Sequence, residues 1–381
     1  MTKEDCMGAP IINISFIEKA KTIFGRAERG IVGLVLKDNL VEGNLQKFTV
    51  QLTDEIPEYL SDFNKEQIRL ALMGNVTAPK KVVCFVMNVG GSTEDDEEPA
   101  SLTEEYKKAR QWVRETKMHF LAVPTVQTDG QLADMVSFVK EEVNVNKNKI
   151  IGIFPFANTE DSEAIVGCEF TAYTSGETHT ATSGVYTAEE YCSRIAGFIA
   201  GTPFNMSITY GTLNDLSNCN RLTIAEQDEA VDSGKLILMH DGEKVKIVRG
   251  VNTFKSTTKT KSISFKKIKI VNIMNLIYDD LIKTIRDEYI GKFNNDYDDK
   301  CILVTAINAY FMNLITQSVI TSGECQIDLE AQRNYLRMAG EDVVEMTDKE
   351  ILKANTGSIV YLTGKVGIPD AIEDVEFPIY I

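Results

Sequence analysis

Histidine is scarce in this sequence, and cysteine is not arranged in pairs. The three histidines, at positions 119, 179 and 240, are far apart and predict neither a catalytic nor a metal-binding cluster. The seven cysteines are scattered, and no two of them have the spacing of a CxxC motif. Such an odd, scattered set is typical of reduced thiols in a protein made in a cytoplasm. The sequence therefore predicts no metal site and no cofactor.

Long apolar runs are also lacking. No uninterrupted apolar stretch approaches the roughly 18 residues that a membrane-spanning helix needs. The opening MTKEDCMGAP has neither the basic nor the apolar region of a signal peptide, so we expect none. The net charge of −16 argues against general binding to nucleic acids or to an anionic membrane. We therefore expect no nucleic-acid partner and no direct membrane insertion.

What the sequence does contain is the composition of an ordinary globular protein. Its 381 residues are 43% hydrophobic and 25% charged, and the length suffices for two or three domains. From residue 102, helical segments alternate with continuous apolar strands, which predicts a mainly parallel sheet covered on both faces. The fold class is therefore α/β, with several domains. The predicted segments are an extended arm (1–28), a small N-terminal α/β domain (29–90), a central α/β domain (91–257), a C-terminal domain (258–370) and a terminal strand arm (371–381).

The C-terminal third has a pattern of its own. Two long amphipathic helices are predicted near 270–290 and 298–320, and shorter ones near 328–338 and 348–355. A strand over 358–368 follows them. This order predicts a mainly helical domain with a small sheet.

Two glycine motifs resemble nucleotide-binding loops only superficially. DSGK at 232–235 is not a phosphate-binding loop, because Glu229 and Leu236 occupy the positions of the required glycine and Ser or Thr. VGGST at 89–93 lacks the third glycine and the acidic residue of a dinucleotide fingerprint. We interpret Gly234 as the glycine that ends a helix before a strand.

Three further patterns also have structural interpretations. His179, Ser183 and Asp232 could be combined into a hydrolase triad, but no G-x-S-x-G elbow surrounds the serine. NNDYDD at 294–299 lacks the glycine and glutamate of a calcium loop, so we interpret it as the N-terminal cap of the next helix. The dipeptide at 241–242, Asp-Gly, predicts a hairpin turn. No constellation of residues supports an enzyme.

A lysine-rich segment, 255–269, contains no acidic residue. In a chain this acidic, such a segment is expected to seek an acidic surface on a partner or on another subunit. A solvated linker between domains explains it equally well, and the sequence leaves both interpretations open. The lysines are Lys255, Lys259, Lys261, Lys266, Lys267 and Lys269.

Both ends of the chain alternate apolar and polar residues. The pattern occurs at 11–17 and again at 375–381, where Pro378, without an N–H, fits an edge strand. Exposed strands of this kind are templates for pairing with another chain. The sequence predicts that both segments add to a sheet of a neighbouring molecule. In the alternative, they complete the sheet of their own subunit.

One set of motifs resembles a known family. The stretch IAGFIAGTPFNMSITYG (195–211) is followed by LTIAEQDEAVDSGKLILMHDGEKVKIVRGVNTF (222–254). Together they resemble the compact tail sheath proteins of contractile phage tails and R-type bacteriocins. In that family an A-G-x-x-A-G-T-P helix end precedes a polar strand, an acidic helix, a G-K hairpin and an R-G-V-N-T segment. The opening GAPIINISF and the closing DAIEDVEFPIYI are similar too, so the resemblance spans essentially the whole chain.

The resemblance implies an architecture and an assembly. It implies a small N-terminal domain, a central subtilisin-like α/β domain without peptidase residues, and a C-terminal assembly domain with helices and a small sheet. It further implies hexameric rings stacked helically around a tail tube, which contract to drive the tube through a cell envelope. The implied partners are further copies of the chain, the tail tube protein, and baseplate and tail-terminator proteins. The chain would be made in the bacterial cytoplasm and released as part of a phage tail or bacteriocin, and it does not distinguish the two.

The resemblance also implies where subunits contact one another and the tube. Terminal arms would join a neighbour's small sheet, through Ile12, Ile14, Phe16, Val360, Leu362, Val375, Phe377, Ile379 and Ile381. The family grips its tube through the C-terminal domain, where Arg333 and Arg337 share one helical face. Lys266 and Lys267 are the second candidates for that contact. The alternative function, suggested by the central domain alone, is an α/β hydrolase-like or nucleotide-handling enzyme.

Overall fold

The structure is a computed structural model that describes residues 29–89, 101–158, 160–174 and 184–380. The strand predicted at 11–17 and most of the acidic loop that begins at residue 90 lie outside the described residues.

Strands and helices alternate through the first two thirds of the chain. Helices α1, α2, α4 and α5, whose bounds follow, each begin after a serine or threonine whose hydroxyl accepts a hydrogen bond from a backbone N–H of the first turn. The elements are β1 (Ile31–Asp38), β2 (Lys47–Val50), α1 (Asp62–Leu72), β3 (Lys81–Asn88), α2 (Leu102–Glu115), β4 (Phe120–Ala122), α3 (Leu132–Asn144), β5 (Ile151–Pro155), β6 (Ile165–Cys168), β7 (Thr171–Thr174), β8 (Val185–Thr187), α4 (Ala188–Ala200), β9 (Leu216–Cys219), α5 (Ile224–Asp232), β10 (Lys235–Leu236), β11 (Leu238–His240) and β12 (Val245–Ile247).

The last third is mainly helical, as predicted. Its elements are α6 (Ile268–Thr284), which continues into a π-helical turn (Ile285–Tyr289), α7 (Tyr297–Thr316), β13 (Ser322–Ile327), α8 (Leu329–Met338), α9 (Asp348–Lys353) and β14 (Leu362–Gly367). The predicted strand over 358–368 is thus shorter at both ends than the sequence suggested.

Seven strands of the described chain form one sheet in the order β10-β6-β5-β4-β1-β3-β2. All neighbours are parallel except β2, which pairs antiparallel with β3 at one edge. Because β1 pairs with β3 on one side and with β4 on the other, segments 29–90 and 91–257 share this sheet. The boundary expected near residue 90 therefore does not separate two sheets, and a mixed α/β unit extends across it.

The position of β1 in the interior of the sheet explains why its sequence is apolar without interruption. Val32, Leu34 and Leu36 face a core that includes residues of α1 and α4, and Ile31 and Val35 face a second core with α2 and α3. Both faces of a parallel sheet are covered, so alternate residues on each side must be apolar. The prediction of a sheet covered on both faces is confirmed.

The A-G-x-x-A-G-T-P segment allows α4 to pack closely against α1 and the loop after it. A Cβ at Gly197 would lie 1.9 Å from the carbonyl oxygen of Ala71 in α1, and one at Gly201 would lie 2.0 Å from that of Thr77. The Thr77 N–H donates to the Gly201 carbonyl at 3.2 Å. The glycines are therefore required for α4 to approach the backbone of α1 and of the loop after it.

A separate core holds the C-terminal helices together. Ile273 and Leu276 of α6 pack with Leu303, Ile307 and other residues of α7. The start of α6 contributes to the core of the α/β unit as well. Helix α6 therefore belongs to both units and connects them.

A buried ion pair lies at this junction. The Arg29 guanidinium donates to the Asp279 carboxylate at 2.7 Å and to the Asn272 side-chain oxygen at 2.9 Å. His119 Nε2 lies 3.7 Å from the same carboxylate, and its Nδ1 accepts from the Ile31 N–H at 3.3 Å. The first described residue is thus fixed to α6 and lies beside the first strand of the sheet.

Three local predictions are confirmed. Gly234 follows the end of α5 with φ of +83°, and β10 begins at the next residue. Asp296 caps α7 by accepting from the Asp299 N–H at 2.9 Å. Gly242 has φ of +109° in the turn between β11 and β12.

Candidate assembly surfaces

The sheet of the C-terminal unit has two strands. β13 and β14 run antiparallel, with Ser322 opposite Gly367 and Ile327 opposite Leu362. Within the described chain each strand has one neighbour, so each has an outer edge that no strand occupies.

The outer edge of β13 is closed at its middle by a side chain. The Asn308 amide nitrogen of α7 donates to the Cys325 carbonyl at 2.9 Å, and its oxygen accepts from the Cys325 N–H at 2.7 Å. The polar groups of Cys325 therefore point away from β14. Another strand cannot pair there without displacing Asn308.

The outer edge of β14 is open in the described chain. The Asp328 N–H donates to the Tyr361 carbonyl at 2.9 Å. Tyr361, the residue before β14, therefore directs its carbonyl toward the β13 side, and this fixes which residues of β14 face β13 and which face outward. Since antiparallel neighbours alternate between inward and outward groups, Leu362, Gly364 and Val366 direct their N–H and C=O groups outward. These three residues form a short edge that can accept a further strand.

The chain beyond β14 has no regular secondary structure up to residue 380, and it is exposed from residue 374 onward. Val375, Phe377 and Ile379 are between 73% and 78% exposed. Large apolar side chains at every second residue, with no core of the described chain covering them, are typical of a surface that contacts another molecule. Of the predicted strand-exchange residues, Ile381 and the three near residue 14 lie outside the described residues.

The root of this terminal arm, in contrast, is fixed. Asp370 forms an ion pair with Lys267, and Asp374 forms one with Arg249. Between them, Glu373 accepts a hydrogen bond from the Thr209 hydroxyl at 2.6 Å. The arm is therefore held at residues 370–374 and is exposed only beyond them.

The lysine-rich segment finds much of its acidic surface within its own chain. Lys261 pairs with Glu163, and Lys267 pairs with the arm. Desolvation lowers the pKa of Lys267, but the hydrogen bond with Asp370 and the charge of Glu373 outweigh it and raise that pKa. Lys266 donates to the Asp232 carbonyl at 2.9 Å. If Lys266 and Lys267 contact the tube, they must do so in addition to these contacts within their own chain.

The arginine pair on α8 differs in this respect. Arg333 pairs with Glu330 of its own helix and with Asp348 of α9. Arg337 donates to the Asn334 side-chain oxygen at 3.1 Å, and no acidic side chain of the described residues pairs with it. Arg337 is therefore the more available cation of the two.

Of the residues considered for catalysis, the structure describes Asp232 and Lys235. Lys235 pairs with Glu169 at 2.8 Å and lies over the Phe156 ring. Asp232 ends α5, and its two proposed triad partners lie outside the described residues. Among residues that the structure describes, no group of three or more metal-ligating side chains is placed to hold an ion. None of the described helices is both long and apolar enough to span a membrane.

Comparison with known proteins identifies the family. Residues 101–253 match the model of the phage tail sheath protein central domain, and residues 260–381 match that of the phage tail sheath C-terminal domain. The tail sheath protein of Clostridium phage phiCD119 is 31% identical over 376 residues, which cover 96% of this chain and 97% of that protein.

Solved structures share the fold. The sheath tail protein from Desulfitobacterium hafniense superimposes with a TM-score of 0.67 at 17% identity, over 83% of this chain and 93% of that one. The helical sheath of the anti-feeding prophage in its contracted state gives a TM-score of 0.61 at 13% identity, over 99% of both chains.

The α/β unit, the helical unit with its open strand edge, and these matches define a contractile tail sheath subunit. The chain belongs to the phage tail sheath family. It is a structural sheath protein of a contractile injection system, and as such it is part of a phage tail or tail-like particle.

Proposed function

We propose that this sheath subunit forms hexameric rings that stack helically around a tail tube and contract to drive the tube through a cell envelope. The family membership supports this, as does the fold shared with a sheath recorded in its contracted state. A similar chain also occurs in the anti-feeding prophage baseplate. The partners would be copies of the chain, the tube protein, the baseplate and the tail terminator. The subunit would be made in the bacterial cytoplasm and leave it in the particle.

We further propose that the terminal arm adds as a strand to the small sheet of a neighbouring subunit. Two features of the described chain support this, the exposed alternating segment at 375–380, which has no regular secondary structure, and the open edge of β14. Strand addition forms main-chain hydrogen bonds and places alternate side chains in pockets. Such covalently continuous arms keep neighbours connected while packed surfaces exchange during contraction. The arm at 1–17 is proposed to join the same sheet.

Deletion of 375–381 tests the strand exchange. The truncated chain should remain folded, with an unchanged circular dichroism spectrum, and should fail to form sheaths by negative-stain electron microscopy. Deletion of 1–17 should have the same effect. If either truncated chain still forms sheaths, that arm does not connect subunits. If truncation unfolds or precipitates the C-terminal unit, the arm completes its own subunit's sheet.

A matched pair of variants makes this test specific to one face of the strand. Phe377→Ser with Ile379→Ser removes the apolar side chains of the face predicted to enter pockets. Glu376→Ser with Tyr380→Ser changes the opposite face of the same strand. The first pair should prevent assembly, and the second should allow it. Equal effects of the two pairs would argue against a strand with one inserted face.

We also propose that the subunit has no enzymatic activity. The side chain of Lys235 is held by Glu169, which suits a structural contact. Ser183→Ala, His179→Ala and Lys235→Ala should each leave assembly and particle activity unchanged. An enzyme of the hydrolase or nucleotide-handling type would instead lose particle function in one of these variants while its tails looked normal.

A further inference from the structure

A carboxylate-binding site holds the root of the terminal arm. It is made by two segments about 40 residues apart, Ser207 and Thr209 of the polar stretch SIT and Arg249 of the RGVNT segment, together with Lys267. We propose that this site is an anchor that sets the direction in which the arm leaves the subunit. The inference rests on the proposed strand exchange, because it assigns the device that aims the exchanged strand.

Glu373 is the residue that enters the site. Its side chain is only 6% exposed, although the residues around it in the arm are largely exposed. One carboxylate oxygen accepts from the Thr209 hydroxyl at 2.6 Å and lies 3.3 Å from the Ser207 hydroxyl. The other oxygen lies 3.4 Å from the Lys267 ammonium and 3.8 Å from the Arg249 Nε. A buried carboxylate with two hydroxyls and two cations around it is a specific contact.

The two hydroxyls are held by hydrogen bonds that do not involve the arm. The Thr209 hydroxyl accepts from the Gly250 N–H at 2.9 Å, and the Ser207 hydroxyl accepts from the Thr209 N–H at 3.2 Å. A Cβ at Gly250 would lie 2.7 Å from a side-chain carbon of Ile208, so glycine is needed for the two segments to approach. The hydroxyl half of the site is therefore positioned by the local backbone, whereas Arg249 and Lys267 form their ion pairs with the arm itself.

Two flanking ion pairs make the anchor directional. Asp370 lies on Lys267 and Asp374 lies on Arg249, on either side of Glu373. Three contacts spread over five residues fix the orientation of the segment as well as its position. Ile372, between them, is 91% exposed and points away from the subunit.

Fixing the root of the arm reduces the volume that the terminal segment samples before it binds a neighbour. An arm that leaves in a fixed direction has a higher effective concentration at one place on a neighbour, and loses less conformational freedom when it binds. The polar stretch at 207–209, which forms no strand in the structure, and the R-G-V-N-T segment therefore position the arm.

The test uses two glutamates of the same arm in the full-length chain. Glu373→Lys places a cation against Lys267 and Arg249, while Glu376→Lys makes the same charge change at an exposed position beyond the anchor. A nitroxide label at Ile372→Cys, with the native accessible cysteines replaced by serine, reports the mobility of the arm root in the monomer. Sedimentation and negative stain give the subunit concentration at which sheaths form.

We expect Glu373→Lys to mobilise the label and to raise the concentration needed for sheath formation about tenfold, the effect of losing one charged contact. Glu373→Gln should give a smaller change in the same direction, and Glu376→Lys should leave the label's mobility unchanged. The circular dichroism spectra of these variants should match that of the parent.

Each other outcome overturns the inference in a recognisable way. An immobile label in Glu373→Lys means that this contact does not hold the arm. A mobile label with unchanged assembly means that the arm's direction is unimportant, and strand exchange stands if deletion of 375–381 still prevents assembly. If that deletion allows assembly, strand exchange itself is wrong, whatever the label shows. An anchor that sets the direction of the strand then has no role.

Discussion

Asn308 pairs with both backbone polar groups of Cys325, at 2.9 Å and 2.7 Å, and so takes the place of a strand beside β13. An amide side chain presents one donor and one acceptor, as a backbone residue does. Strand pairing at this sheet is thereby directed to the opposite edge, at β14. One side chain of α7 decides which side of the sheet remains free.

Removing this side chain should destabilise the C-terminal unit. Asn308→Ala leaves the N–H and C=O of the buried Cys325 without partners, at a cost of about 1–3 kcal/mol in the free energy of unfolding. The control is Asn313→Ala, on the exposed face of the same helix, which should change stability by less than about 0.5 kcal/mol. Urea unfolding measures both. Equal stabilities for the two variants would show that water replaces the amide without loss.

Gly197→Ala should weaken the contact between α4 and α1. The added methyl group would lie 1.9 Å from the Ala71 carbonyl oxygen, and because that atom belongs to the backbone, the helices must separate. Forced overpacking of this kind costs about 1–3 kcal/mol or more. Ser137→Ala, at an exposed position of α3, is the control. Thermal unfolding followed by circular dichroism checks the difference, and a Gly197→Ala protein as stable as the control would contradict it.

His119 should make the fold sensitive to acid. Burial, with the nearby charges of Arg29, Lys117 and Lys81, lowers the pKa of His119 from 6.5 to about 2. Asp279 lies 3.7 Å away and is already paired with Arg29, so it does not offset this. Between those two pH values the unfolded chain binds one more proton than the folded chain, and stability falls as pH falls.

The measurement compares the wild type with His119→Asn, whose side-chain oxygen can accept the Ile31 N–H in place of Nδ1. As pH falls below 6.5, the free energy of unfolding of the wild type should fall more steeply than that of the variant, and the difference in slope should approach about 1.4 kcal/mol per pH unit near pH 5. Parallel curves would mean that His119 is protonated in the folded chain.

The arginines of α8 are predicted to hold the tube. Exposed charge pairs contribute about 0.2–1 kcal/mol each, which suits a contact that must release, and they multiply over many subunits. Arg333→Glu with Arg337→Glu should give sheaths that contract early or assemble without a tube. Gln332 and Leu336 remain buried, so the helix should stay in place.

The control for this variant is Lys107→Glu with Lys108→Glu on α2, which makes the same change in net charge. Electron microscopy of assembled particles distinguishes the two. Normal extended tails from the α8 variant would place the tube contact elsewhere.

Much of the fold follows from local pattern. The two long C-terminal helices, the turn at Gly242 and the end of α5 at Gly234 were all predictable, because capping and turn residues act over a few positions. The pairing of β1 with β4 was not predictable from the sequence, and neither was the sheet that segments 29–90 and 91–257 share. A strand that is apolar on both faces must have both faces covered by other elements, but its sequence does not specify which strand pairs with it.

The assembly surfaces were predictable only in part. Alternation predicted a terminal strand, since a period of two is a local property. In the structure residues 375–380 are exposed and form no strand, so strand formation by this segment stays a prediction. The anchor at Glu373 was not identified, because its partner Thr209 is 164 residues away and both look like ordinary surface residues. The lysine segment gave a signal, as an uncompensated positive run in an acidic chain. Its partners, which include Asp370 and Glu163, emerged only from the fold.

The buried pair of Arg29 and Asp279 has a mechanical consequence. Tension along the chain before residue 29 reaches the folded protein at Arg29. The guanidinium of Arg29 is bound to Asp279 of α6, and its backbone continues directly into β1 of the sheet. A pulling force is thus divided between the two units at the point where it enters. If the proposed arm at 1–17 joins a neighbour, a pull on that arm would act on both units at once and favour their turning together.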